Sequence, residues 1–148
     1  MFKNILVPTD DGPLSRKAAA SAIKLAKEMN ARITGVYATP KFVPVAFEAI
    51  VPPPEIVSPQ LHKKSMQRLA ANVLGAIEKM CKSAGVAFEA VHVADEDPYT
   101  AVIKVAKRKR CDLILMASHG RRGLAGFLLG SETQKVLTHS KIPVLVYR

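Results

Sequence analysis

The segment DLILMASHGRRGLAGFLLGS, residues 112–131, joins an apolar run to a glycine-rich stretch and the predicted start of a helix. Leu113 to Met116 are apolar without alternation, as in a strand of a parallel sheet that is covered on both faces. Four of the chain's eight glycines follow within eleven residues. Glycines let the backbone turn sharply and approach a ligand closely. The segment therefore predicts a strand, a ligand-sized loop and a helix of an α/β fold.

The same strand-and-helix alternation continues on both sides of this segment. Strand-like runs occur at residues 5–7, 31–39, 86–93, 112–117 and 142–147. Apolar spacing and helix-start signals predict helices that begin near Pro13, Pro59, Pro98 and Ser131. The helix that begins near Pro98 is expected to end near Arg110. The long helix 59–84 is expected to end at Gly85 and to bury Met66, Leu69, Val73, Ile77 and Met80. Because helical crossovers join parallel strands, the prediction is a three-layer, doubly wound α/β fold with a five-stranded parallel sheet.

Length and composition limit the class of protein. The chain has 148 residues, 49% of them apolar and 23% charged, which favours one globular domain spanning residues 1–148. No apolar run approaches the roughly 18 residues of a membrane span, and the N-terminus enters a strand without a signal peptide. Cys81 and Cys111 lack metal-ligand spacing, so we expect a cytoplasmic protein with reduced thiols, without zinc and without a membrane partner.

Positive charge is concentrated in the last third of the chain. Residues 101–148 carry ten Lys or Arg and two Asp or Glu, which is +8 of the total +10. This bias suggests a nearby polyanion, such as nucleotide phosphate, nucleic acid or an acidic partner. The alternative for residues 107–110 is a solvated helix end, where positive charge suits the helix dipole.

Residues 40–59 interrupt the alternation with six of the ten prolines. Proline opposes regular pairing, yet the intervening residues are too apolar for a solvated linker. This Pro-rich apolar loop within the domain is predicted to be a flap over a pocket or part of a subunit contact. The alternative is a loop packed on its own domain.

Two strand ends carry the residues suited to a ligand. In open α/β sheets, ligands bind beyond the carboxyl ends of the strands. The first strand is followed by Thr9 and Asp10 after Pro8, and the fourth by the glycine-rich loop. Backbone amides in that loop and at the helix start near Ser131 can hold phosphate, with added charge from Arg121. The spacing fits neither a Walker A loop nor the dinucleotide G-x-G-x-x-G pattern.

These segments resemble the universal stress protein family over essentially the whole chain. The resemblance is carried by ILVPTD at 5–10, DLILM at 112–116, the loop 118–131 and PVLV at 143–146. It implies strand order 3-2-1-4-5 and a homodimer. One branch of the family binds ATP through a motif of glycine, two residues, glycine, nine residues, glycine and Ser or Thr; another branch lacks the motif and does not bind ATP.

By position in this motif, the second glycine is Gly120, the third is Gly130 and the hydroxyl is Ser131. Ala117 stands in place of the first glycine, which would weaken binding if a positive φ or close ribose approach were required there. The resemblance also implies a role for Asp10 and a backbone contact of Val36 to adenine. Magnesium is expected to be carried in by the phosphates, with Asp10 nearby. The implied function is a cytoplasmic, dimeric stress-response regulator that binds ATP or a related adenine nucleotide and is at most a slow ATPase, with protein partners that the sequence does not name.

Two other classes of function compete with nucleotide binding. A nucleotide-free dimeric interaction module is favoured if Ala117 blocks the loop. A nucleic-acid binder is disfavoured because the eight aromatic residues are scattered. A hydrolase using Ser118 and His119 is also disfavoured, since neighbouring side chains are expected to point apart.

Two further expectations concern histidine and the sheet edge. His62, beside two lysines, is interpreted as solvated. In the implied strand order the fifth strand is an edge with unpaired backbone groups. The predicted dimer contact therefore includes Ile142, Val144, Leu145 and Val146.

Overall fold

Five parallel strands form one sheet with helices on both faces. The computed structural model describes residues 1–44, 58–120 and 129–148. Its strands and helices in chain order are β1 Asn4–Pro8, α1 Pro13–Met29, β2 Arg32–Thr39, α2 Pro59–Ala84, β3 Phe88–Ala94, α3 Pro98–Arg108, β4 Leu113–Ala117, α4 Ser131–His139 and β5 Val144–Tyr147. The strand order is β3-β2-β1-β4-β5, and every neighbouring pair is parallel. The predicted α/β fold and strand order are confirmed.

Helix boundaries follow from their capping residues. Gly85 adopts the left-handed region with φ 72° and ends α2, as predicted, with its N–H bonded to carbonyls of the last turn. Gly12 and Pro13 open α1, and Gly130 opens α4. β3 begins two residues later than expected, because the N–H of Val86 still bonds to the helical carbonyl of Cys81. β5 and α3 are each two residues shorter than expected.

The buried face of α2 differs from the prediction at two positions. Leu69 and Met80 are 42% and 37% exposed. The buried row is instead Ala70, Val73, Leu74, Ile77 and Cys81. This row also has helical spacing, and its small members at either end let the helix lie close to the sheet. The predicted apolar stripe is therefore wrong by one residue at these two positions: Ala70 is buried rather than Leu69, and Cys81 rather than Met80.

The core lies on both faces of the sheet. Ile5, Val7 and Leu115 point towards α1 and α2. Leu6 and Ile114, one residue out of step with them, point towards α3 and α4. Alternate side chains along a strand face opposite sides, so a strand buried on both sides is apolar throughout. This burial leaves the polar segments at the strand ends to form the surface of the sheet's carboxyl edge.

The basic run 107–110 lies at the opposite, amino-terminal edge. Asn4, which begins β1, donates its Nδ2–H to the carbonyl of Lys109 at 2.9 Å. The Asp112 carboxylate accepts the backbone N–H groups of Lys3 and Asn4 at 2.7 and 3.0 Å. Since β1 runs from this edge to Asp10, the basic run is separated from the predicted ligand site by the length of a strand.

Parts of two predictions lie outside the described residues. Residues 45–57 of the Pro-rich loop are among them, so the expectation of a flap or subunit contact stays a prediction. Arg121 also falls there. Among the described helices, none is long and apolar enough to cross a membrane.

Candidate functional site

The ends of β1 and β4 meet at the carboxyl edge of the sheet. A Cβ placed on Gly120 would lie 2.7 Å from the Oδ2 atom of Asp10. Real Cβ atoms do not come this close to another heavy atom, so the backbone of Gly120 approaches the carboxylate as only glycine can. The structure therefore brings together Asp10 and Gly120, which were predicted from two separate segments.

Asp10 is held in place by groups from the start of α1. Its Oδ1 atom accepts the N–H of Gly12 at 2.9 Å and the hydroxyl of Ser15 at 2.8 Å. The Ser15 hydroxyl also lies 3.3 Å from that of Thr9, which in turn accepts the N–H of Asp11 at 3.1 Å. These bonds fix the carboxylate at the edge with one defined orientation. Sequence reasoning missed Ser15; its hydroxyl in the first turn after a Gly-Pro helix start was the available signal.

The loop that follows β4 returns to the strand end at Gly130. The N–H of Gly130 donates to the carbonyl of Ser118 at 2.8 Å. A Cβ on Gly130 would lie 3.1 Å from the Cα of His119, so a larger residue would push the loop ends apart. The buried Thr133 hydroxyl donates to the carbonyl of Ala117 at 2.9 Å. Thr133 thereby joins α4 to β4, a role that the sequence did not suggest.

The N-terminus of α4 presents free backbone donors at this edge. Gly130 has no side chain to cap the helix, and the first intrahelical bond runs from Gln134 N–H to the Gly130 carbonyl. Among the described residues, the N–H groups of Ser131, Glu132 and Thr133 have no hydrogen-bond acceptor. Unsatisfied amides and the positive end of the helix dipole together favour an anion.

The one acidic side chain in this turn is directed towards α3. The Glu132 carboxylate accepts the N–H of Tyr99 at 2.9 Å and the ammonium group of Lys135, also at 2.9 Å. The same hydrogen bond, together with the charge of Glu132, raises the pKa of Lys135. Because this carboxylate is paired, its negative charge opposes an anion at the helix N-terminus less than an unpaired one would.

Ala117 takes an extended conformation where the motif has glycine. It is the last residue of β4, and its φ is not among the positive values. Its side chain is 7% exposed and packs in the core that faces α1. The backbone here therefore does not require glycine, and the methyl group points into the protein interior. This removes the positive-φ objection to a ligand at the loop.

Val36 is placed differently from what the resemblance implied. It is 1% exposed, and its carbonyl accepts the N–H of Thr9 at 3.0 Å. Since N–H and C=O groups alternate sides along a strand, Ala38 faces the same side, where β1 has already ended at Pro8. The half-exposed Ala38 thus has its backbone N–H and C=O directed at the gap beyond β1. Which of these two residues directs its backbone groups beyond β1 depends on the register in which β1 pairs with β2. The sequence alone does not give that register.

Ser118 and His119 do not point apart as expected. The Ser118 Oγ lies 3.1 Å from Nδ1 of His119. Ser118 is 5% exposed, however, and among the described residues no acid bonds to His119. A nucleophile needs access to substrate and an oriented base, so this pair does not form a hydrolytic site. The described residues also contain no group of three or more His, Cys, Asp or Glu that could hold a metal ion.

Comparisons of sequence identify relatives of this chain. The sequence model of the universal stress protein family matches residues 1–148. Universal stress protein MJ0531 of Methanocaldococcus jannaschii is 30% identical over 148 residues, covering 100% of this chain and 83% of the relative. Universal stress protein YxiE of Bacillus subtilis is 29% identical over 150 residues, with 100% of both chains covered.

Solved structures share the fold. M. jannaschii MJ0577 superimposes with a TM-score of 0.77 at 24% identity, covering 99% of this chain and 96% of that one. A universal stress protein in complex with cAMP gives 0.68 at 22% identity, with 99% and 97% covered. An Arabidopsis thaliana family protein with AMP bound gives 0.66 at 18% identity, with 98% and 90% covered. The family match over the full chain carries the assignment: the chain belongs to the universal stress protein family.

Proposed function

We propose that this protein binds an adenine nucleotide, with ATP as the expected ligand, at the carboxyl edge between β1 and β4. The observation that carries the proposal is the N-terminus of α4, where three amides have no acceptor among the described residues, beside the close approach of Gly120 to Asp10. A phosphate chain supplies the anion that such a helix end favours. Family proteins of the same fold bind cAMP and AMP, which supports this class of ligand.

Each part of the nucleotide has a matching group at the edge. The amides of Ser131, Glu132 and Thr133 and the Ser131 hydroxyl donate to phosphate. Asp10 lies at this edge beside Gly120, and its carboxylate accepts a ribose hydroxyl. Ala38 offers adenine a backbone donor and acceptor in the gap beyond β1, and it replaces Val36 in this role.

Magnesium would be bound mainly by the phosphate oxygens of the nucleotide rather than by a complete set of protein ligands. Mg²⁺ in nucleotide sites keeps several waters and takes phosphate oxygens with one or two carboxylates. Asp10 is a carboxylate at this edge beside the loop that follows β4. We assign the protein a regulatory role in which nucleotide occupancy alters its contacts with other proteins in the cytoplasm. Two cysteines, both buried and unpaired, agree with a reducing compartment.

The site is best tested by isothermal titration of protein stripped of bound ligand with ATP and with AMP. Gly130→Val should weaken ATP binding about 30-fold, because pushing the loop from His119 removes hydrogen bonds worth about 2 kcal/mol. Gly75→Val is the matched control, since a Cβ at Gly75 meets no atom within 4 Å. Equal affinity in folded wild type and Gly130→Val would reject the site.

A wild type that binds neither nucleotide would instead favour the nucleotide-free interaction module. Thermal unfolding of each variant, followed by circular dichroism, shows whether a loss of binding reflects a loss of folding. The titration therefore separates the two classes of function directly.

A further inference from the structure

A second cleft lies farther along the same carboxyl edge of the sheet, between the ends of β2 and β3 and the first two turns of α2, and begins at Thr39, the residue after Ala38. Its volume is about 230 Å³. An apolar cavity of about 150 Å³ is enough to hold benzene, so this cleft has room for a substituted ring. Its floor is formed by Thr39, His92 and Ala94. None of the residues assigned to the nucleotide lines it.

The wall from α2 carries polar residues where the helix pattern calls for apolar ones. Pro59, His62, Lys63 and Met66 recur at helical spacing and line the cleft. The buried row of the same helix continues as apolar side chains from Ala70 onward. A histidine and a lysine at the mouth of the buried face are thus an exception that packing of the helix does not explain.

His62 is the unusual group in this wall, and it is not solvated as the sequence suggested. Its Nε2 atom is buried and has no hydrogen-bond partner among the residues that the structure describes. Its ring packs edge-on against Phe42, with the ring centroids 5.5 Å apart. With its proton on Nε2, the ring has a buried donor without a partner among these residues, and an acceptor in the cleft would remove the free-energy penalty of that donor.

The second histidine of the cleft is satisfied within the protein. Its Nε2 atom lies 2.8 Å from the Thr39 hydroxyl, and burial lowers the pKa of His92. His92 therefore belongs to the neutral floor. Among the lining residues that the structure describes, the charged side chains are those of Lys41 and Lys63, and Asp95 beyond Lys41 is already bonded to Lys104. The charge balance favours an anionic ligand.

We propose that this cleft binds a small organic acid whose carboxylate meets His62 Nε2 and the two lysines while its apolar body lies against Phe42, Pro59 and Met66. A planar carboxylate suits a site with one buried nitrogen and two ammonium groups, because it needs few donors. Prolines, an aromatic ring and a thioether provide an apolar surface for a ring. This site uses none of the residues assigned to the nucleotide.

Benzoate is the probe, followed by NMR of ¹³C-methyl methionine in the full chain. Met66 lines the cleft, whereas Met116 is buried in the core on the other face of the sheet, so its methyl group is an internal reference. At about 10 mM, enough to saturate a millimolar site, benzoate should shift the Met66 signal and leave Met116 unchanged. Benzyl alcohol, which has the same ring without the charge, should bind at least tenfold more weakly.

Substitutions test the carboxylate contact. His62→Phe keeps a ring against Phe42 but removes the nitrogen, and it should weaken benzoate binding at least tenfold. Lys64→Ala changes an exposed neighbour that does not line the cleft and should leave the affinity unchanged. An unshifted Met66 signal, equal binding of benzyl alcohol, or equal binding by folded His62→Phe would each overturn the proposal.

Saturating AMP provides the last test of independence. If benzoate binds with unchanged affinity in the presence of AMP and in Gly130→Val, the cleft is a separate site. If AMP displaces benzoate from Met66, the cleft is part of the nucleotide site and the proposal of a second ligand fails. Because the benzoate signal does not require nucleotide binding, failure of one proposal leaves the other open to its own test.

Discussion

Gly120 shows how one missing side chain can position a ligand-binding carboxylate. Gly120→Ala would place a methyl group 2.7 Å from Asp10 Oδ2, so the carboxylate must move. We expect ATP affinity to fall about tenfold, the effect of losing roughly one charged hydrogen bond. Isothermal titration measures the affinity, with Gly75→Ala as the control in open space. An unchanged affinity would mean that the orientation of Asp10 is immaterial to nucleotide binding.

Ala117 allows a test of the motif position that departs from the family. Because its backbone is extended and its methyl packs towards α1, Ala117→Gly should change ATP affinity less than twofold. It should lower the free energy of unfolding by about 1 kcal/mol through lost burial and added chain entropy. Urea unfolding and titration measure the two effects. A large gain in affinity would show that the methyl group obstructs the ligand.

A single site residue can be predicted from the sequence when the residues next to it in the chain indicate its role. Asp10, Gly120 and Gly130 could be predicted because polar residues and glycines directly follow apolar strands. Ser15 was missed although its hydroxyl in the first turn of α1 was an available signal. The choice of Ala38 over Val36 could not be predicted, because hydrogen bonding between β1 and β2 depends on register. A one-residue change in register reverses which backbone groups are free.

At the scale of secondary structure elements, Glu89 links three elements at the amino-terminal edge. It pairs with Lys109 after α3 and with Arg32 at the start of β2. The hydrogen bond to Lys109, more than the charge of Arg32, lowers the pKa of Glu89. Glu89→Gln should lower the free energy of unfolding by about 0.5–1 kcal/mol at pH 7, since the carboxylate is partly exposed.

The lowered pKa of Glu89 determines how this contribution to the free energy of unfolding changes with pH. A carboxylate with a lowered folded pKa stabilises above its unfolded pKa of about 4.3, and the stabilisation is lost as pH falls through the folded value. The difference between wild type and Glu89→Gln should therefore be full at pH 6–7, begin to decrease near the unfolded pKa of about 4.3, and be lost as the pH falls through the lower pKa of the folded state. Urea unfolding at both ends of the range measures it. A difference that persists in acid would assign the effect to packing instead.

The elements themselves were largely predictable, whereas their faces were less so. The bounds of α2 follow from Pro59 and Gly85, two local signals. Its buried face does not, because Leu69 and Ala70 both fit a helical stripe and only contact with α1 and the sheet selects between them. A prediction from sequence favours the larger apolar residue, Leu69, for the core, whereas close packing of the helix buries the smaller Ala70.

At the scale of the whole molecule, basic residues and the candidate site lie at opposite edges. The run 107–110 lies at the C-terminal end of α3 near Asn4, and Asp10 lies beyond the far end of β1. The positive charge of this run therefore does not serve a nucleotide at the proposed site, although the sequence allowed that reading. Placement at a helix C-terminus fits the alternative of a solvated, dipole-favoured helix end.

The second prediction at the scale of the whole molecule is a homodimer whose contact includes the edge strand β5. The carbonyls of Pro143 and Tyr147 accept N–H groups from β4 and its end, so the backbone groups of Val144 and Val146 face away from the sheet. Such an edge invites pairing with a second copy about a twofold axis. Leu145 is 41% exposed, whereas Val144 packs against the core that faces α3 and α4.

Leu145→Lys is consequently the sharper test, because a charge there does not enter the core. We expect the wild type to sediment as a dimer at micromolar concentration and Leu145→Lys to sediment as a monomer, since an unpaired charge at an interface is costly. Leu69→Lys is the matched control: Leu69 is 42% exposed on α2, so this variant should remain dimeric. A monomeric wild type would refute the dimer, and a dimeric, folded Leu145→Lys would place the interface away from β5.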